Sequence, residues 1–224
     1  MIKYKDIFNS KTLNIFTDAS IRNVNNETIG APGYVAVLGD QIISQDVRIL
    51  RESTNNQSEI YAIYMAIQFA LKYRNNVQVI NVFSDSQFSI YGLREWIFNW
   101  MNNIYNDILY NSSGNMVSNQ NIILAIIYTI IDYKLVINLY HNRGHFTIDK
   151  IPEFIELFKK HNFLNDYIDR EAAEKIIRYN SIVDHTTRSL LHNTKVQYPD
   201  KLEIPDYLAR TDLNMNYYKE LLNI

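Results

Sequence analysis

The stretch "LNIFTDAS" at residues 13–20 is an apolar run that passes through Thr17 straight onto a carboxylate, Asp18. Such a run reads as a β-strand inside a sheet, and "VQVINVFSD" at 77–85 repeats the pattern, closing on Asp85. Strand ends are where side chains leave a sheet's core and converge on a shared cleft. Taken alone, either aspartate could equally start a turn or cap the following helix.

Between the two strands, "QSEIYAIYMAIQFALK" at 57–72 places Ile60, Ile63, Tyr64, Ile67 and Leu71 at helical spacing, with Thr54 or Asn55 available as the N-cap. Glu59 falls in the first turn, where a favourable macrodipole interaction is the plain explanation. If the two strands are neighbours, Asp18, Glu59 and Asp85 meet at one edge of the cleft. Three carboxylates in one place repel one another unless cations neutralise them. Mg²⁺ prefers a few hard oxygen ligands of this kind, and two such ions can hold both the attacking water and the leaving oxygen of a phosphodiester.

The remaining sequence bounds the architecture. The 224 residues, 47% hydrophobic and 21% charged, suffice for one main domain with appendages. There is no cysteine, so disulfides and thiolate metal sites are excluded. The longest apolar run, "IILAIIYTII" at 122–131, is too short to span a bilayer, and the N-terminus lacks a signal-like stretch. A soluble, cytoplasmic protein without membrane partners is expected. A net charge of −2 leaves no global basic field, so a polyanionic partner must be held by local contacts or metal ions.

Strands are expected at 13–17, 33–39, 41–50, 77–85 and 134–141, and helices at 57–72, 86–93, 94–109, 119–132, 151–161 and 166–179, the last pair following a Gly-His turn. The central order is β-β-β-α-β-α-α-β-α, an α/β class with a mixed sheet flanked by helices. Residues 1–11 read as an N-terminal extension and 12–180 as the main domain. Residues 181–224, with two of the four prolines, read as an appended arm, helical near its end.

"FTDAS", "TNNQSEIYAI", "FSDSQFSIYGLREWIFNW", "RGH" at 143–145 and "NDYIDREAA" at 165–173 together resemble, in order and context, the motifs of type 1 ribonuclease H. The resemblance covers roughly residues 12–179 and implies a ribonuclease H-like fold with a five-stranded sheet. It also implies an endoribonuclease that cleaves the RNA strand of RNA–DNA hybrids with two Mg²⁺ ions, for which Mn²⁺ substitutes, leaving 5′-phosphate and 3′-hydroxyl ends. By this resemblance Asp18, Glu59 and Asp85 match the first three catalytic, metal-binding carboxylates. Asp169 matches the fourth, supported by Asn165 four residues before it and Ala172 shortly after, with Asp166 as the rival. His145 matches the family's mobile histidine, suited to proton transfer or product release. His141 reads as structural.

The resemblance further implies that Asn55 and Asn56 contact the RNA strand, since amides both donate to and accept from a 2′-hydroxyl. It places Thr54 and Asn119 on a DNA phosphate and Phe88 and Trp96 along the DNA channel, with core packing expected instead for Trp100. Three departures stand out. Glu52 lies where some relatives carry an arginine. A helical insertion of about 148–164 separates His145 from Asp169. The segment 95–120, a basic protrusion in many relatives, contains Glu95, Asp107 and seven asparagines but no Lys or Arg. Its contribution to salt-dependent binding should be small. Either affinity is lower, or the arm or a replication-protein partner bound through it compensates. Two rival functions stay open: a binding or scaffolding module on this fold within a replication or reverse-transcription assembly, and a related nuclease that cuts DNA or duplex RNA.

Overall fold

The computed structural model describes residues 7–24, 26–162, 168–193 and 207–224. The chain begins with strands β1 (Thr12–Val24), β2 (Glu27–Leu38), β3 (Gln41–Val47) and β4 (Leu50–Arg51), then helix α1 (Asn55–Ala70) and strand β5 (Val79–Ser84). Helix α2 (Gln87–Tyr91), a π-helical turn (Gly92–Trp96) and α3 (Ile97–Trp100) precede the small hairpin β6 (Ile104–Tyr105) and β7 (Ile108–Leu109). Helix α4 (Gln120–Asp132), strand β8 (Ile137–His141) and helices α5 (Ile151–Asn162), α6 (Arg170–Asn193) and α7 (Met215–Leu221) complete it.

The main sheet runs β3-β2-β1-β5-β8, with β4 added beside β2. β1 is antiparallel to β2 and parallel to β5, and β5 is parallel to β8. This is the expected mixed sheet, enlarged by one short strand. Alternate residues of a strand face opposite sides of its sheet. Leu13 and Ile15 therefore join a core with α1, α4 and α7, while Phe16 joins Phe83, Tyr140 and the buried faces of α5 and α6. Phe16 and Phe83 stack with centroids 4.6 Å apart. Beneath them, Asn81 donates to Asn14 at 2.9 Å and Asn138 donates to Asn81 at 2.8 Å, so the buried amides of β1 and β5 satisfy each other.

Three expectations are corrected. The helix expected over 94–109 stops at Trp100, because Asn106 and Asp107 both take positive φ (50° and 61°) and form the turn of the β6–β7 hairpin. Asparagine and aspartate tolerate that left-handed conformation better than other side chains, and two in succession suit a tight hairpin. The boundary expected at 180 falls inside α6, which continues to Asn193 and buries Val183, Thr187 and Leu191. Residues 207–224 are likewise not a detached arm. Tyr218, Leu221 and Leu222 are buried in the core beside α4, the Tyr218 hydroxyl donates to Leu93 O at 3.0 Å, and the Tyr128 hydroxyl donates to Leu208 O at 2.6 Å. Asn165 and Asp166 lie outside the described residues. Among the described residues no helix is long and apolar enough to cross a membrane.

Replacing Tyr218, which is 0% exposed, by alanine removes a large buried ring and should cost about 3–5 kcal/mol in urea unfolding. Leu208→Ala, at a residue 62% exposed, should stay within about 0.5 kcal/mol.

Candidate active site

The register of β1 with β5 pairs Thr17 with Ser84 and so brings Asp18 and Asp85 side by side, one residue past the last pair. Glu59 arrives from the second turn of α1, rather than the first: Thr54, one of the two expected caps, accepts from Gln57 N at 3.2 Å and starts the helix at Asn55. Gly30 of β2 makes room for this: a Cβ there would overlap the Ser58 hydroxyl, which sits 2.7 Å from the Ser53 hydroxyl. Each of the three acids offers an oxygen within 4.8 Å of the others.

Asp18, Glu59 and Asp85 line a cleft of about 430 Å³ with Ala19, Ser20, His145, Asp184, Arg188 and His192. The fourth acid of the cleft is therefore Asp184, from the α6 face that packs along β1 and hydrogen-bonds Thr187 to Ser20 at 3.0 Å. Asp169 is elsewhere. Its Oδ1 accepts from Ala172 N at 2.8 Å, an N-cap of α6, and fifteen residues of helix place it about 22 Å from Asp184 along the axis. A sequence signal for Asp184 existed: Asn180 stands four residues before it, the same spacing as Asn165 to Asp169. Thr187 in place of alanine made that second match the less obvious one.

The electrostatics are those of a site built to hold positive charge. Burial, then the Asp85 and Asp184 carboxylates, push the Asp18 carboxyl up to about 8. Burial, then Asp18 and Asp85, hold Glu59 well above the usual carboxylate range. Asp85 is raised by burial and by Asp184, against the pull of His145. Glu59 Oε2 is buried without a hydrogen-bond partner among the described residues, so the group contains one unsatisfied carboxylate oxygen. Arg188, ion-paired with Asp184 at 2.8 Å, supplies part of the balancing charge. A hard divalent cation fits this donor set.

The other expected contact residues are dispersed around this centre. Thr54, Asn55 and Asn56 are exposed at the start of α1, and Glu52, also exposed, precedes them with a positive φ of 51°. Phe88 and Trp96 meet edge to face at 6.0 Å on a ridge continued by Tyr91, and Trp96 is 38% exposed whereas Trp100 is buried. Asn119 precedes α4 in the left-handed conformation, its side chain making no capping bond. His145 also takes a positive φ, 61°. Its neighbour Gly144 lies so close to Asp85 that a Cβ would overlap Oδ2.

The sequence pattern of the RNase H family matches residues 10–187, which include all four acids of the cleft. The chain belongs to the ribonuclease H family. A ribonuclease H of Haemophilus influenzae (strain 86-028NP) is 32% identical over 139 residues, 60% of this chain and 79% of that one. A ribonuclease H of Ruthia magnifica subsp. Calyptogena magnifica is 35% identical over 91 residues, 38% of this chain and 55% of its own. Among solved structures, the foamy viral protease-reverse transcriptase in complex with RNA/DNA hybrid matches with a TM-score of 0.53 and 18% identity, over 77% of this chain and 21% of that one. The same viral enzyme in complex with dsDNA gives 0.52 and 19%, over 75% and 100%. These likenesses concern the fold. The enzyme class expected from the motifs, ribonuclease H, is borne out by the family match and the curated relatives.

The raised acids make a stability prediction. An unfolded aspartate ionises near 3.9, so between about pH 4 and 8 the folded, metal-free chain holds the Asp18 proton that the unfolded chain has released. Metal-free stability should therefore fall as pH rises through that window. Melting curves in EDTA should show it, Mn²⁺ or Mg²⁺ should raise the melting temperature most near pH 8, and Asp18→Asn should raise the metal-free value while removing most of the metal response. A chain of this size gains roughly 2–4 °C for each kcal/mol of relieved repulsion.

Proposed function

We propose that this chain hydrolyses the RNA strand of RNA–DNA hybrids, with two divalent ions held by Asp18, Glu59, Asp85 and Asp184, leaving 5′-phosphate and 3′-hydroxyl ends. The observation that carries this reading is the buried, mutually repelling group of Asp18, Glu59 and Asp85, faced by a fourth acid and containing an unsatisfied carboxylate oxygen, on a chain of this family. Such a group is costly to fold unless cations compensate it, so its retention speaks for metal-dependent chemistry rather than for scaffolding. Divalent ions in such a site supply charge neutralisation at the phosphate and a lowered pKa for the attacking water.

The chain's own residues do the rest. The strands fix Asp18 and Asp85 rigidly, so the phosphate is oriented by the protein frame. His145 on the cleft rim passes a proton toward the departing 3′-oxygen and assists release of the cut strand. Asn55 and Asn56, exposed on the first turn of the helix that carries Glu59, read the RNA 2′-hydroxyl. Thr54 and Asn119 hold a DNA phosphate, and the Phe88–Trp96 ridge packs against deoxyribose.

Labelled RNA–DNA hybrid, duplex DNA and duplex RNA, each incubated with Mg²⁺, Mn²⁺ or EDTA, test the reading. The hybrid's RNA strand alone should be cut, and only with metal. No cleavage of any hybrid with either metal would overturn the enzymatic role, and equal cutting of duplex DNA would overturn the hybrid preference. In the same assay Asp184→Asn should lose about 10²-fold or more in kcat, as removal of a transition-state-stabilising group does. Asp169→Ala should cut within about twofold of wild type while costing about 1 kcal/mol of stability through the lost helix cap. The reverse pattern would return Asp169 to the site.

A further inference from the structure

Helix α5 lies between the histidine turn and α6, in the segment that sets this chain apart from its family's usual pattern, and two of its side chains hold the two flanks of one short stretch, residues 141–146. At one end is Asn162, the last residue of α5 and 7% exposed. Its Oδ1 accepts from His141 N at 2.7 Å, and its Nδ2 donates to His141 O at 2.8 Å and to Phe158 O at 2.9 Å. In a β-strand the N–H and C=O of one residue point to the same side, and β8 is an edge strand. The Asn162 amide therefore occupies the place of a neighbouring strand and satisfies both groups where β8 ends.

The same Oδ1 also accepts from Arg94 Nη1 at 3.1 Å, and Arg94 Nη1 and Nη2 donate to Leu139 O and His161 O. This buried guanidinium ties the helical turn after Asp85 to the end of α5. His141 is in turn 3.1 Å through Nε2 from Asp85 O. A carbonyl only accepts, so Nε2 carries the proton. At the other end of the stretch, the Phe146 ring packs edge to face on Phe154 of α5 at 5.5 Å. His145 sits between these anchors, immediately before Phe146, and Gly144 rests against Asp85.

We propose that α5 is a brace that sets the position of His145 in the reaction, with Asn162 and Phe154 as its positioning residues. This rests on the reading above that His145 takes part in hydrolysis. The brace holds the turn from both flanks, so a histidine that would otherwise sample many positions meets the substrate at one. Loss of either anchor leaves the carboxylates in place and frees the imidazole.

A double-mutant cycle on the full chain tests this, because residues acting through one group are non-additive. Under single-turnover conditions with hybrid, Asn162→Ala should lower the cleavage rate about 10-fold with hybrid affinity unchanged within about twofold. His145→Ala should lower the rate about 10²-fold. In the His145→Ala background, adding Asn162→Ala should then cost less than about twofold. Losses that multiply, or an Asn162→Ala enzyme as fast as wild type, would overturn the proposal. Because Asn162→Ala can compromise folding, Asn162→Asp and Phe154→Leu serve as milder variants, the first keeping the acceptor for His141 N and Arg94. In both, the NMR order parameter of the His145 amide should drop from about 0.85 toward 0.6 or below, and unchanged values in both would equally refute the brace. If wild type cut no hybrid at all, the functional reading would fall, and the order parameters would still decide whether α5 holds the turn.

Discussion

The parallel pairing of β1 with β5 is the constraint on which the rest depends. Its register stacks three matched layers on one face of the sheet: Asn14 beside Asn81, Phe16 beside Phe83, and Asp18 beside Asp85. A shift of either strand by one residue would turn its three side chains to the opposite face. The acids are held together because two layers beneath them, one hydrogen-bonded and one aromatic, admit no other alignment. Glu59 and Asp184 are brought to the same point by helices packed on opposite faces of this strand pair.

That arrangement works against folding as well as for chemistry. Desolvation and mutual repulsion lift the Asp18, Glu59 and Asp85 carboxyls, so the cleft is a local conflict within an otherwise consistent structure. The conflict is tolerated because the surrounding side chains are fully packed: Phe16, Phe83, Ile60 and Ile63 are buried to 1% exposure or less. Rigid strands and a crowded core keep the acids from relaxing apart.

Much of this was legible in the sequence. Period-two runs ending on Asp18 and Asp85, and a period-3.6 run containing Glu59, state their own structure because local patterning and tertiary burial agree there. The fourth acid was legible only as one of two matches, for a physical reason. Both Asp169 and Asp184 follow an asparagine by four residues, and the choice between them depends on which turn of α6 passes β1. That is set by contacts such as Thr187 meeting Ser20, which are remote in sequence. The β6–β7 hairpin was hidden similarly: aromatic and apolar residues at 94–109 fit a helix by composition, while two backbone angles at Asn106 and Asp107 decided otherwise. The last helix buries Tyr218 against residues over a hundred positions away, which no local pattern announces.

The asparagine pairs in the sheet carry a consequence of a different kind. Asn223 donates to Asn138, Asn138 to Asn81, Asn81 to Asn14, and Asn14 to the Ile7 carbonyl, so every amide in the row points the same way. Reversing one would set donor against donor and acceptor against acceptor with its neighbours. Replacing one alone strands a buried partner, whereas replacing several together by apolar residues of similar shape can be nearly neutral. The row therefore behaves as a block at its buried end: changing Asn14 or Asn81 alone costs more than changing both together.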